Sequence, residues 1–298
     1  GNCQVKILLQ WLYLSLHFKY NLYMIYIILS ILSSSSMALL IKYNENRKLN
    51  RVSIMLYNYI IISIVLLFMN IHKGLFVFNQ KLILLSLIVG FLFAFNFFIY
   101  MKLINHSGIS LPTLAMRISL VIPVTLSIVF YRENINILRI LGILTAIITI
   151  VLMHNQKSKK LYIYMLMVLF VAAGIADFSM KYFERNFDLK YQLLYMNMLF
   201  FSAAVFVFIF SLFYKKASGK YEVINGAVLA IPNMFATFFL ILALKYTDAI
   251  VVFPLINISV IIFSSILSYI IFKESFRGKK IFALITGIIT IILLSIGK

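Results

Sequence analysis

Ten uninterrupted apolar runs, each near the length that crosses a bilayer, leave this chain few folds to choose from. They lie near 23–41, 53–71, 82–104, 110–131, 135–154, 161–180, 191–214, 222–244, 249–272 and 279–296. The hydrocarbon core needs about 20 apolar residues at 1.5 Å rise each. The runs are continuous and lack the two-residue alternation of barrel strands, so they predict helices. Short polar gaps such as KYNENRKLNR (42–51), KYFERNFDLK (181–190) and KESFRGKK (273–280) make successive helices antiparallel neighbours and leave no room for a soluble domain. The expected fold is an all-α integral membrane protein with ten transmembrane helices.

Composition agrees. Residues of the AVILMFWYC set make up 63% and charged residues 12%, and the mean hydropathy is +1.04. Soluble domains carry about 25% charge, so the spare apolar surface of this chain must face lipid. The net charge of +19 would suggest nucleic acid in a soluble protein. Here the basic residues sit in the gaps between runs, where anionic lipid headgroups are the expected partner and nucleic acid is not. The single cysteine, Cys3, excludes a disulfide framework and a cysteine-ligated zinc site. His17, His72, His106 and His154 have no metal spacing around them, and no phosphate-binding glycine loop is present. No metal or cofactor is expected.

Residues 1–22 are a separate question. The stretch ILLQWLYLSLHF (7–18) is too short to span. It reads either as an interfacial helix or as an extension upstream of Met24, which opens the first full run.

The chain also repeats itself. Residues 131–153, YRENINILRILGILTAIITIVLM, align without gaps to 272–294, FKESFRGKKIFALITGIITIILL. The match pairs Glu133 with Glu274, Thr145 with Thr286 and Thr149 with Thr290. KYNE (42–45) likewise matches KYFE (181–184). The chain therefore divides into five-helix units at 24–155 and 160–298. Five crossings are odd, so the second unit enters the membrane from the opposite side. The two units are inverted, and a site at their interface can open alternately to either face. Repetition and parity together predict a secondary transporter.

These features resemble the drug/metabolite transporter superfamily in its EamA-type branch. The markers are PVTLSIVFYRENINILRILGILTAI (123–147) and FSSILSYIIFKESFRGKKIFALITGI (263–288), each with a Glu after a helix and before a Gly/Ala/Thr-rich one. The resemblance implies ten helices, transport of small organic metabolites and a bacterial cell (inner) membrane location. It implies an N-terminus inside, whereas the slight Lys/Arg bias between the two sets of loops favours outside. Helix one carries SSSS (33–36) and no acid, so the proton–cation exchange of the related small multidrug resistance proteins does not carry over. The alternatives to a transporter are an intramembrane lipid-modifying enzyme and a non-transporting subunit of a membrane complex. The enzyme lacks a paired His/Asp or Ser at the mouth of a span.

Ionisable and amide groups inside the spans are the candidate site, because such groups are costly in lipid. Arg117, eight residues into the fourth span, suits a carboxylate or phosphate. It alternatively snorkels or pairs with Asp177. Asn257, on the ninth span, stands one position from the repeat counterpart of Arg117 and would converge on it from the inverted helix. Asn96 and Asn233 fall on the corresponding third and eighth spans, and Tyr100 is an aromatic neighbour. Asp177 either carries a coupling proton or is neutralised by Lys181 four residues on. Its expected place within a turn of the helix end favours the pair. Pro112, Pro123, Pro232 and Pro254 each free a backbone carbonyl within a span. Gly142/Ala146 and Ala283/Gly287 are small-residue packing faces, within the chain or across a homodimer. Glu133 and Glu274 read as local pairs with Arg132 and Lys273 or as caps.

Overall fold

A computed structural model describes residues 2–74, 79–107, 110–153, 163–213, 218–272 and 279–296. All its regular structure is helical, and no strand occurs among the described residues. In chain order the helices are α1 (Asn2–Asn46), α2 (Arg51–Lys73), α3 (Gln80–Ser107), α4 (Ser110–Ile118), α5 (Val121–Tyr131), α6 (Ile137–Met153), α7 (Ile163–Asn186), α8 (Gln192–Ser211), α9 (Lys220–Tyr246), α10 (Ala249–Phe272) and α11 (Lys279–Ile296). Seven stretches are long and apolar enough to cross a membrane: those at Met24–Asn46, Arg51–Lys73, Gln80–Leu103, Ile163–Asn186, Leu189–Ser211, Lys220–Tyr246 and Ala249–Leu267. Three shorter apolar stretches occupy Ala115–Tyr131, Ile137–Val151 and Ile285–Leu294. The protein is thus a multi-pass helical membrane protein.

Three boundaries differ from the sequence expectation: α1 runs as one helix, Asn2–Asn46, through the boundary expected at 23, and two others differ for reasons of their own. The fourth run is two helices, α4 and α5, separated at Ser119–Leu120. Pro123 lacks an N–H, and its ring excludes the carbonyl four residues back, which belongs to Ser119. Chain continuity is kept by a tighter turn: the Ile122 amide donates to the Ser119 carbonyl at 2.9 Å, and the Ser119 hydroxyl donates to Met116 O at 2.6 Å. Pro112 stands in the first turn of α4, where a missing donor costs nothing. Helices α9 and α10 continue through Pro232 and Pro254. The sixth run was expected to end near 180, yet α7 continues to Asn186. Hydropathy reads Lys181 as a boundary, whereas its charge is paired inside the bundle.

Helix α1 packs on α9 and α10, α7 packs on α3, α4 and α5, α2 on α8 and α9, α3 on α8, and α6 on α11. Most of these pairings reappear when α1–α6 and α7–α11 are interchanged. The α6–α11 contact is the clearest case. The hydroxyls of Thr149 and Thr286 lie 2.9 Å apart, and those of Thr145 and Thr290 lie 2.8 Å apart. Partner numbers fall on one helix as they rise on the other, so the two helices run antiparallel. Gly142 lets Leu294 approach so closely that an added Cβ would lie 2.7 Å from its Cδ2. Gly287 is packed by Ile262 of α10. Both glycines therefore serve contacts within the chain. The side chain of Ala283, and Lys273 with Glu274, lie outside the described residues.

The coupling energy between Thr149→Val and Thr286→Val should be about 0.6 and at most about 1.7 kcal/mol, the range for hydrogen bonds between membrane helices. A double-mutant cycle of detergent unfolding measures it. A coupling of zero would mean that the hydroxyls are satisfied by their own helices alone, through bonds such as Thr149 to the Thr145 carbonyl at 2.8 Å.

Candidate functional site

The break after α4 leaves Arg117 in the last turn of a short helix. A cation there meets the negative end of the helix dipole. Its Nη1 donates to Oδ1 of Asn257 at 2.9 Å. The Asn257 Nδ2 in turn donates to the Phe253 carbonyl at 3.0 Å, which fixes the amide with its oxygen towards the guanidinium. Asn257 lies four residues after Phe253, so its side chain reaches back to that carbonyl. The charge and the amide predicted to converge from spans four and nine thus do meet.

Two further groups join them. The Tyr100 hydroxyl of α3 and the Thr113 hydroxyl of α4 lie 2.9 Å apart. Tyr100 and Asp177 both lie in the neighbourhood of the guanidinium, and the Asp177 carboxylate is its nearest opposite charge. Asp177 stands on α7, nine residues before the helix ends, and makes no direct ion pair with Arg117. The expected neutralisation of Asp177 by Lys181 does not occur. Lys181 Nζ instead lies 2.9 Å from Oε2 of Glu184 and 3.5 Å from Oε1 of Glu133. It also donates to the Leu244 carbonyl at 3.2 Å. A lysine at i+4 reaches along the helix axis, but two carboxylates and a carbonyl at the end of α7 offer it more.

Asn96 lies one turn before Tyr100 on α3, which places both on one face. It is buried, and its Oδ1 has no hydrogen-bond partner. Such an orphaned acceptor costs about 1–3 kcal/mol, which a pure packing role does not explain. Asn233 is buried on α9, after Pro232. The structure gives it no contact with the Arg117 group. A groove of about 150 Å³ opens elsewhere, at the α1–α2 end of the bundle, among Asn50, Ser53, Tyr57 and Ser218. Neither Arg117 nor Asn257 lines it.

Sequence reading missed one cluster, although it offered a cap as one of two roles for the central residue, Glu133. Glu133 does not pair locally with Arg132. Its Oε1 and Oε2 each accept a backbone N–H at 2.9 Å, from Ala249 and Ile250 respectively. These are the first two amides of α10, so a residue of the α5–α6 turn caps a helix 116 positions away. Beside it, Arg139 Nη1 meets Asp248 Oδ2 at 2.9 Å. The signal that could have found Glu133 was its identity with Glu274 in the repeat.

The comparisons with known proteins show one family and a likeness of fold to solved structures. A family model described as the EamA-like transporter family matches residues 21–154 and again 160–296. A solved structure titled "Crystal structure of protein" superposes with a TM-score of 0.77 at 13% identity, over 93% of this chain and 98% of that one. At that identity the likeness concerns the fold alone. No curated protein matches the chain.

Proposed function

Since the chain belongs to the EamA-like transporter family, we propose that it is a ten-span secondary transporter of small organic anions, working by alternating access between two inverted halves, 24–155 and 160–298. Members of that family are membrane transporters of the drug/metabolite superfamily, and the multi-pass helical fold fits one. The reading counts α4 and α5 as one broken span and α6 and α11 as the fifth and tenth. The antiparallel threonine contact between α6 and α11 supports the inversion, because repeat-equivalent residues meet reciprocally across it.

The observation that carries the substrate class is the Arg117–Asn257 contact. It joins the broken fourth span of one half to the proline-bearing ninth span of the other. A guanidinium presents a planar fork of donors that fits carboxylate and phosphate oxygens. Asn257 occupies part of that fork through a neutral acceptor, which an anionic ligand outcompetes. Tyr100 and Asn96 extend the site along α3, and Asn233 is its proposed wall on α9. Asp177, free of Lys181, is the group that would carry a coupling proton. The proposed setting is a bacterial inner membrane, with lipids around the bundle and a second copy as the proposed oligomeric partner.

Purified protein in liposomes, challenged with a panel of carboxylated and phosphorylated metabolites and of lipophilic cations, tests this directly. Uptake of an anionic metabolite in excess over protein-free vesicles is the expected result. Uptake confined to lipophilic cations, or none for any member of a broad panel, would remove the anion reading.

A further inference from the structure

We propose that Glu133 and Lys181 form the gate that seals the Arg117 site from the α9–α10 end of the bundle. The proposal rests on the transporter reading above. Four segments meet at the gate. Glu133 comes from the α5–α6 turn, Lys181 and Glu184 from α7, the Leu244 carbonyl from α9, and the amides of Ala249 and Ile250 from α10. The side chains of Glu133 and Lys181 are only 2% and 5% exposed. Arg132, just before Glu133, takes a left-handed conformation with φ of 52°. A non-glycine residue there costs on the order of 1–2 kcal/mol. That turn is what redirects the chain so that Glu133 lies under α10, and the bonds Glu133 makes hold it.

The position suits a gate. Asn257 lies eight residues into α10 from Ala249, about 12 Å at 1.5 Å per residue. The carboxylate that caps α10 therefore closes the same helix whose side chain holds Arg117. Ser127 of α5, ten residues after Arg117 and six before Glu133 in the chain, is fully buried, its hydroxyl without a hydrogen-bond partner. Helix α5 packs on α7 and α10, the elements that supply the gate. An orphaned hydroxyl is expected where water enters in another conformation.

The chemistry suits a gate as well. Buried ion pairs contribute little net stability, because desolvation offsets their attraction. A seal made of apolar side chains would expose that surface to water when it opened. A charged seal exchanges its partners for water instead, so the open and closed arrangements stay close in free energy. Two carboxylates face one lysine here, and the partial positive charge at the start of α10 balances the excess. Arg139 and Asp248 add an ion pair at the rim. In the sequence repeat, Lys42 and Glu45 of the first half and Glu274 of the second match Lys181, Glu184 and Glu133, the same residue types that a gate for the other face would use.

The test uses the full chain in vesicles, with Cys3→Ser and Ser127→Cys as the only changes in the reference protein. A membrane-impermeant maleimide is added from either face. Labelling from the α9–α10 face should be slow in the reference. It should rise about tenfold or more in Glu133→Gln and in Lys181→Gln, as expected when a charge-assisted contact favouring one of two states is lost. Labelling from the opposite face should not rise. Unchanged labelling in both variants, or an equal rise from both faces, would overturn the gate. So would loss of the folded protein in both variants, since the cluster would then be a structural staple. The assay needs no substrate. A gate that opens in a protein moving no anion would count against the substrate class and leave the gate standing.

Discussion

Arg117→Gln should reduce transport of the anionic substrate about 10- to 100-fold, mostly through KM, while leaving the protein folded and inserted. A hydrogen bond to a charged group contributes about 1.5–3 kcal/mol, and the substitution removes the charge while keeping an amide donor. Gln still reaches part of the way to Asn257, so the contact between the halves weakens, while Asp177 loses the charge of the nearby guanidinium. Asn257 loses only its bond from Arg117, for its own Nδ2 is held by the Phe253 carbonyl. Initial rates of uptake over a range of substrate concentrations, beside a thermal unfolding curve, separate the two effects. Normal transport by this variant would move the site away from Arg117.

Gly90→Leu should abolish the folded protein, and Gly90→Ala should destabilise it by about 1–3 kcal/mol, the usual cost of overpacking. Helices α3 and α8 touch backbone to side chain at this point. A Cβ on Gly90 would lie 2.5 Å from the Leu199 carbonyl oxygen and 2.5 Å from Cβ of Ser202. Neither atom is the end of a flexible chain, so the helices would have to separate. Separation would also break the bond from the Ser202 hydroxyl to the Leu87 carbonyl at 3.2 Å. The melting temperature of purified protein reads the alanine variant, and the yield of monodisperse protein reads the leucine one. An alanine variant as stable as the parent would mean that the approach of α3 to α8 is looser than the structure shows.

The sequence alone determined the helical membrane class, the repeat and the family, because each depends on local or periodic properties. Apolar runs of sufficient length have no other stable form in lipid. The matched threonines needed only an alignment to be noticed. Arg117 and Asn257 could be paired in advance because inversion relates their helices. Tertiary structure decided the partners of charged side chains. Lys181 follows Asp177 at helical spacing, yet it turns to Glu184, three residues on, and to Glu133, which no spacing rule brings near it. Glu133 neighbours Arg132 in the chain, yet it caps α10. A buried charge takes whichever partner best offsets its lost hydration. That choice depends on how five helix ends meet in space. Periodicity says which face of a helix is apolar; only packing says what stands opposite the few polar groups on it.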